Sequence, residues 1–361
     1  LRFKIFILLL TLPFIVAFKY IPQGATEEML QDAATGQRLI FERNYSEAQK
    51  HFWNLSHKYP DSPLGTFGEM ALYNAMMFEN YDFSLDKGFE QASHANKLIV
   101  EKIVQDKNAS AWNLFLCGAS SGLRGFYLIR KDQALKAFGE ASTADKCLEL
   151  ALKQDPQFVD SYLGTGMSKY WKSVFTQRFK GLPFIKDRRP EGIAEMKKAI
   201  AEGTIATELG KAALMFVYLQ DNQVRPGLEI AQSLLQDFPQ NVIALQHVGR
   251  FQLSLGQKDK ALQTFNDLLR KDPKITVALF FKGRTLMAMG KNQEAQTVLT
   301  EFVKTHPNKE WRAYGYYQLG HLALRQGDSK AAFDYFKKGH HEYGGYKPNL
   351  EMLLKIRAGG A

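Results

Sequence analysis

An all-α solenoid of stacked helical hairpins is the fold class this sequence predicts, and three observations predict it. Gly249, Gly256, Ala261 and Pro273 recur as Gly283, Gly290, Ala295 and Pro307, each 34 positions later. A fixed period of that length marks stacked helical hairpins. Leu245, Val248, Phe251 and Leu255 fall three or four apart on one helical stripe, and Ala261, Phe265, Leu268 and Leu269 form a second. Neither stripe can be buried by its own hairpin, so neighbouring hairpins must stack. The 361 residues are 45% hydrophobic and 12% aromatic, ample for packed helices throughout.

Along the chain, Arg2 and Lys4 precede an uncharged, mostly apolar run from Ile5 to Phe18. That run is short for a membrane span and fits a secretory signal cleaved near Ala17, or an uncleaved amino-terminal anchor. We expect residues 1–24 to be such a segment. The first hairpin runs from Met29 to Ser62, with Gly36, Tyr45, Ala48, Phe52, Leu55 and Pro60 in the phase of the later units. From Pro63 to Asn108 helical periodicity continues, out of phase, with a longer second helix.

Ala111 to Lys153 reads as another hairpin, bent at Arg130 to Asp132. Gly118, Ser120 and Gly122 spell the G-x-S-x-G of a nucleophile elbow, but that motif requires a strand-to-helix turn, and its flanks here are helical. Close helix packing through small residues is the better account. Cys117 and Cys147 lie at similar heights on the two helices, so a disulfide and a pair of buried free thiols both remain open.

Residues 154–187 depart most from a plain array. A helix from Val159 continues through Trp171, Phe175 and Phe179, with Lys169, Lys172 and Lys180 mostly off that stripe. An apolar loop and then Arg188 and Arg189 follow. A basic amphipathic helix with aromatics can lie on a membrane or bind an envelope polymer. More commonly such a stripe packs on neighbouring helices. From Glu208 the phase returns, with Pro239, Pro273 and Pro307 evenly spaced, Asn222 marking a turn, and a three-residue slip at Asn308 to Trp311. After Gly344 and Gly345 a short helix, Asn349 to Arg357, suits a terminal cap. The domain reading is therefore 25–190 as divergent hairpins with a basic aromatic insert near 169–189, and 191–361 as a regular array with its cap.

The small residue, turn, Ala, large apolar residue and Pro of each unit resemble the tetratricopeptide repeat. Residues 159–220 also resemble a subgroup of bacterial tetratricopeptide-like proteins with an insert at this place. The family resemblance implies a right-handed α-solenoid whose first helices line a concave groove, and a scaffold that binds proteins without catalysis. Carried over position by position, it points to Phe216, then Gln246 and Arg250, then Phe280, Arg284 and Met287, then Tyr317, His321 and Arg325 as outward-facing groove residues. Arg250, Arg284 and His321 would align as a basic column able to meet a carboxylate or an acidic peptide. No lysine or asparagine stands where the carboxylate clamp for chaperone tails requires one, so that ligand is not implied.

The formal charge of +10 favours acidic partners and speaks to association, not to fold. No metal-ligand spacing, phosphate-cradling loop or acid-histidine pair is marked, so no metal, cofactor or enzymatic activity is expected. The expected setting is the bacterial periplasm or cell envelope, with a protein or peptide partner, a possible membrane contact and no nucleic acid.

Overall fold

The computed structural model describes residues 18–176 and 186–358. The expected signal or anchor segment up to Ala17, and Phe179 and Lys180 of the basic insert, lie outside the described residues. Seventeen α-helices and no strand are present among the described residues. They form consecutive antiparallel pairs: α1 (Glu27–Phe41) with α2 (Tyr45–Lys58), α3 (Leu64–Glu79) with α4 (Asp86–Gln105), α5 (Ala111–Arg130) with α6 (Ala134–Gln154), and α7 (Ser161–Thr176) with α8 (Arg189–Glu202). Next come α9 (Thr207–Gln220) with α10 (Val224–Asp237), α11 (Val242–Ser254) with α12 (Lys258–Lys271), α13 (Val277–Ala288) with α14 (Asn292–Thr305), and α15 (Lys309–Arg325) with α16 (Ser329–Glu342). The single helix α17 (Lys347–Arg357) closes the end against α16. Residue 190 lies in the first turn of α8, so the division made there from sequence falls inside the α7 and α8 hairpin.

The repeat residues do the work expected of them. At Gly249 an added Cβ would lie 2.6 Å from the Phe265 ring, so the two helices of this hairpin meet where a side chain is missing. Ala261, Phe265 and Leu268 are fully buried on the facing stripe. Asn241 caps α11, its side chain accepting from the Ala244 amide at 2.9 Å. Seven turns between paired helices among the described residues use a left-handed residue: Arg43, Tyr81, Asp132, Asn222, Gly256, Gly290 and Gly327.

Cys117 and Cys147 are bonded, with Cα atoms 6.0 Å apart, which joins α5 to α6 and settles the alternative that spacing alone left open. The G-x-S-x-G stretch lies inside α5. Ser120 and Ser121 are fully buried; Ser120 accepts from Asn96 at 3.0 Å, and Ser121 accepts from Arg124 at 2.9 Å. Small residues there serve packing, since a Cβ on Gly118 would sit 2.4 Å from Leu148.

In a simple solenoid each hairpin touches only its neighbours. Here the coil closes on itself. Phe41 at the end of α1 packs on Phe238, with ring centroids 5.0 Å apart. α3 packs against α11, and Tyr343 donates to Asp132 at 2.7 Å. Contacts from the first three hairpins thus reach the later repeats, from the end of α10 to the α16 to α17 connection.

Candidate concave recognition site

The first helices of the phased repeats present the residues singled out from sequence, but not all face open space. Gln246, Phe280 and Met287 are 1%, 5% and 7% exposed. This corrects the expectation that they stand outward in a groove. The cause for Gln246 is the chain itself: its amide donates to the backbone carbonyl of Glu79, at the end of α3. Phe280 packs among Phe281, Phe302 and Trp311, and Met287 lies in the same core cluster. Phe216 is half-buried, edge-on to Phe78 with centroids 5.0 Å apart and beside the His247 ring.

The turn between α3 and α4 therefore sits against the first helices of the later repeats, α11, α13 and α15. Asn80 is buried; its side-chain oxygen accepts from the Val277 amide at 2.9 Å and from Thr276 at 3.2 Å. Tyr81 accepts from Arg250 at 3.0 Å through its hydroxyl. Its carbonyl accepts from Asn308 at 3.0 Å, and its ring meets Trp311 with centroids 4.7 Å apart. Below the turn, Arg43 donates to Glu79 at 2.6 and 2.9 Å and to Asp272 at 2.6 Å, and Tyr45 also donates to Glu79. Burial pushes the Glu79 carboxyl up, against the pull of Arg43 and Tyr45. For Arg43, burial opposes the charge, but the bonds to Glu79 and Asp272 outweigh it and raise the guanidinium further.

Beside that contact an open cleft of about 340 Å³ is lined by Leu219, Arg250, Leu253, Ser254, Phe281, Arg284 and Ala288. Arg250 lies over the Phe281 ring at 4.8 Å, and Arg284 lies 5.9 Å from the Phe280 ring. Neither arginine forms an ion pair with a carboxylate among the described residues. Arg284 is exposed; the neighbouring protein and then the Arg250 charge pull its guanidinium below its ordinary value. Two like charges facing one cleft without a counter-ion can accept an anionic group through paired N–H donors.

The cleft's neighbours extend this character. Arg325 donates weakly to the Met287 carbonyl at 3.4 Å, and Tyr317 stacks edge-on with His321 and with Tyr346. Burial, followed by the charges of Arg325 and Lys355, lowers the His321 imidazole. Arg250 and Arg284 share the cleft; His321 lies beyond it, linked through Tyr317 to Tyr346, which feels the Arg284 charge and which the repeat phase did not indicate.

The basic insert has another arrangement. Lys169 pairs with Glu195 and Lys172 with Asp145. Arg188 pairs with Glu191 at 2.9 Å, and Arg189 with Asp187 at 2.7 Å and Asp221 at 3.3 Å. Trp171 packs on the α7 to α9 core beside Tyr170, and Phe175 meets Phe138 edge-on. The described cations are neutralised within the fold and the aromatics pack on neighbouring helices. No helix among the described residues is long and apolar enough to cross a membrane.

Sequence reasoning missed Arg43, Asn80, Tyr81, Asn308, Trp311 and Tyr346. One signal was available. The three-residue slip lengthens the start of α15, and that extra turn holds both Asn308, which caps the helix, and Trp311. The apparent irregularity is the dock for Tyr81.

Comparison with known proteins agrees with the repeat reading. Residues 252–313 match the profile of the Psidin N-terminal tetratricopeptide repeat region, and residues 313–339 match a tetratricopeptide repeat profile. No curated protein is matched. Similar solved structures include a tetratricopeptide repeat protein from Parabacteroides merdae, at 17% identity over 78% of this chain and 97% of that one, with a TM-score of 0.49. Another is YrrB, described as a tetratricopeptide protein with an unusual peptide-binding site, at 14% identity over 56% and 96% of the two chains, TM-score 0.34. A human IFIT1 dimer with m7Gppp-AAAA is also similar, at 14% identity over 91% and 85%, TM-score 0.46.

Proposed function

We propose, for this protein with tetratricopeptide repeats over residues 252–339, a non-enzymatic scaffold whose concave cleft binds an acidic peptide segment of a partner in the bacterial cell envelope. The observation that carries this reading is the pair Arg250 and Arg284, which face one half-open cleft without a carboxylate partner among the described residues. Arg250 is half-buried and Arg284 is exposed at the cleft mouth, so an incoming carboxylate meets one partly desolvated cation and one accessible cation, neither already neutralised. Leu219, Leu253 and Phe281 supply the apolar floor beside the charge. Tyr317 and His321 continue the wall. The envelope setting is supported by the apolar start of the sequence and by the Cys117 to Cys147 bond, since disulfides persist in oxidising compartments.

In-cell photo-crosslinking tests the reading. A photoreactive residue at position 317, beside the cleft, should capture acidic peptide segments, and a control at Glu301 on α14 should not. Capture at 317 should disappear when Arg250 and Arg284 are both changed to Glu. Identical capture sets at the two positions, or capture unaltered by the double change, would reject the cleft as the recognition site.

A further inference from the structure

The turn of residues 78–82 combines three observations that ordinary hairpin packing does not require. First, Tyr81 has φ +51°, a left-handed conformation that bulky side chains rarely adopt, at the slot the phased repeats give to Gly256, Gly290 and Gly327. Arg43, Asp132 and Asn222 hold the same conformation in other turns; Tyr81 is the bulky aromatic among them, and its side chain, like that of Arg43, reaches a distant repeat. Second, beside local contacts to Asp82 and Phe78, Asn80 and Tyr81 reach five residues of the distant repeats: Val277, Thr276, Arg250, Asn308 and Trp311. Third, the fit leaves polar atoms wanting. The side-chain oxygen of Gln246 is buried with no hydrogen-bond partner, although its amide is engaged by the same turn.

The turn also lies where a partner would. Gln246 and Arg250 hold the groove positions of one repeat, and the turn occupies both before the cleft opens at Arg284. At its tip the turn is held by the hydrogen bonds of Asn80 and Tyr81 and the Trp311 face. At its base it is held by the Arg43 to Glu79 ion pair and the Phe78 to Phe216 contact, so opening swings the tip about an anchored base. We propose that the α3 to α4 turn, residues 78–82, is an intramolecular occupant of the concave face: a latch that closes the coil and must leave before a partner segment can run past Gln246 and Arg250 onto Arg284. This rests on the concave face being a recognition surface. The latch itself then displays part of the chemistry that surface accepts: an amide from Asn80 and an aromatic hydroxyl from Tyr81 that takes the Arg250 donor.

The test uses the full chain with spin labels at Ser84 and Lys309, which flank the contact on either side. The variant is Asn80→Ala with Tyr81→Gly. Glycine suits the left-handed turn, so the α3 and α4 hairpin is retained while the bonds to Val277 and Arg250 and the Trp311 contact are lost. The wild type should show one short distance, and the variant an added longer population. A fluorescein-labelled peptide reproducing residues 76–84 should bind the variant at least tenfold more tightly, because the wild-type site is filled. In excess, the same peptide should shift the wild-type distance distribution towards the longer one. An unchanged short distance in a fully helical variant, or equal peptide binding by the two proteins, would overturn the latch. Should the double variant lose helicity, Tyr81→Phe removes only the Arg250 bond and should still raise peptide affinity severalfold, whereas no change would count against the proposal. Failure of the cleft reading is separable: the label distance would still shift, while capture of acidic segments would be indifferent to Arg284→Glu.

Discussion

Arg43 donates to Asp272 at 2.6 Å across 229 positions of chain, and the same guanidinium holds Glu79. One side chain at the first hairpin turn therefore ties α3 to the end of α12. The Glu79 side chain is 7% exposed, so removing its cation leaves a buried charge with only the Tyr45 hydroxyl to meet it. Arg43→Met should cost about 3 kcal/mol in urea unfolding. Glu79→Gln keeps a partner for Tyr45 and leaves Arg43 with Asp272, and should cost only about 1 kcal/mol. Equal costs for the two changes would mean that the closure contributes little to stability.

Two glycines of the phased repeats should respond differently to alanine. At Gly283 an added Cβ would lie 2.5 Å from Leu299, which is fully buried, so Gly283→Ala must push the α13 and α14 pair apart at about 2 kcal/mol. At Gly256 nothing lies within 4 Å, but φ is +74°. Gly256→Ala should cost about 1 kcal/mol from the backbone alone. Gly256→Asn should recover part of that, as Asn222 holds the same conformation at φ +55°. Thermal unfolding of the three variants decides the order, and asparagine should rescue nothing at position 283.

Acid should loosen the protein through two histidines. His247 and His306 are 0% and 1% exposed, each with Nε2 unpartnered. Burial, followed by the charge of Arg250 at His247 and of Arg312 at His306, lowers each from 6.5 to about 3. Above pH 6.5 both are neutral in folded and unfolded chains alike. Between 6.5 and 3 the unfolded chain binds protons that the folded chain refuses, so stability falls as pH falls. Each should remove about 2 kcal/mol by pH 5. His306→Gln should shallow the loss between pH 7 and 5 by about that amount, measured as the urea midpoint against pH, and an unchanged slope would refute the assignment.

The parts of this structure that could be read from sequence are those decided within a hairpin. Gly249, Ala261 and Pro273 act on neighbours a few residues away, so their period carries through to the fold. Tyr81 was not legible because its partners, Arg250 and Trp311, are tertiary and the turn carries no repeat phase. The same applies to Gln246, which the repeat phase turned outward and the returning chain covers. The slip at Asn308 to Trp311 did mark the docking place. It read as an insertion because a sequence displays its spacing and not what the added helical turn touches. The cations of the basic insert misled for the opposite reason: Lys169 and Lys172 look unpaired along α7, and their acids, Glu195 and Asp145, come from the helices on either side.

The Cys117 to Cys147 bond closes a loop of 30 residues within the α5 and α6 hairpin. The entropy removed from the unfolded chain by a loop of that size corresponds to about 3.5 kcal/mol. Replacing both cysteines by serine should lower the urea midpoint accordingly without altering helicity. Reductant should reproduce the shift in the wild type and have no effect on the variant. A wild type indifferent to reductant would show that the bond does not constrain unfolding.

Arg284 should separate stability from recognition. It has no ion pair among the described residues, and the surrounding wall and Arg250 both disfavour its charge. Arg284→Glu therefore removes a repulsion and should leave stability unchanged within about 0.5 kcal/mol, or raise it. Arg312 makes the contrast: it pairs with Glu342 and donates to the carbonyls of His306 and Pro307 at 2.8 and 3.0 Å. Arg312→Ala should cost about 2 kcal/mol. Acidic-peptide capture should show the reverse order, lost with Arg284→Glu and retained with Arg312→Ala at a temperature where both are folded. An arginine held where it opposes its neighbour and braces nothing is the arrangement expected of a side chain that meets its counter-charge on a partner. If Arg284→Glu proved as damaging to folding as Arg312→Ala, with capture unimpaired in the folded fraction, Arg284 would be structural and the cleft would lose its recognition role.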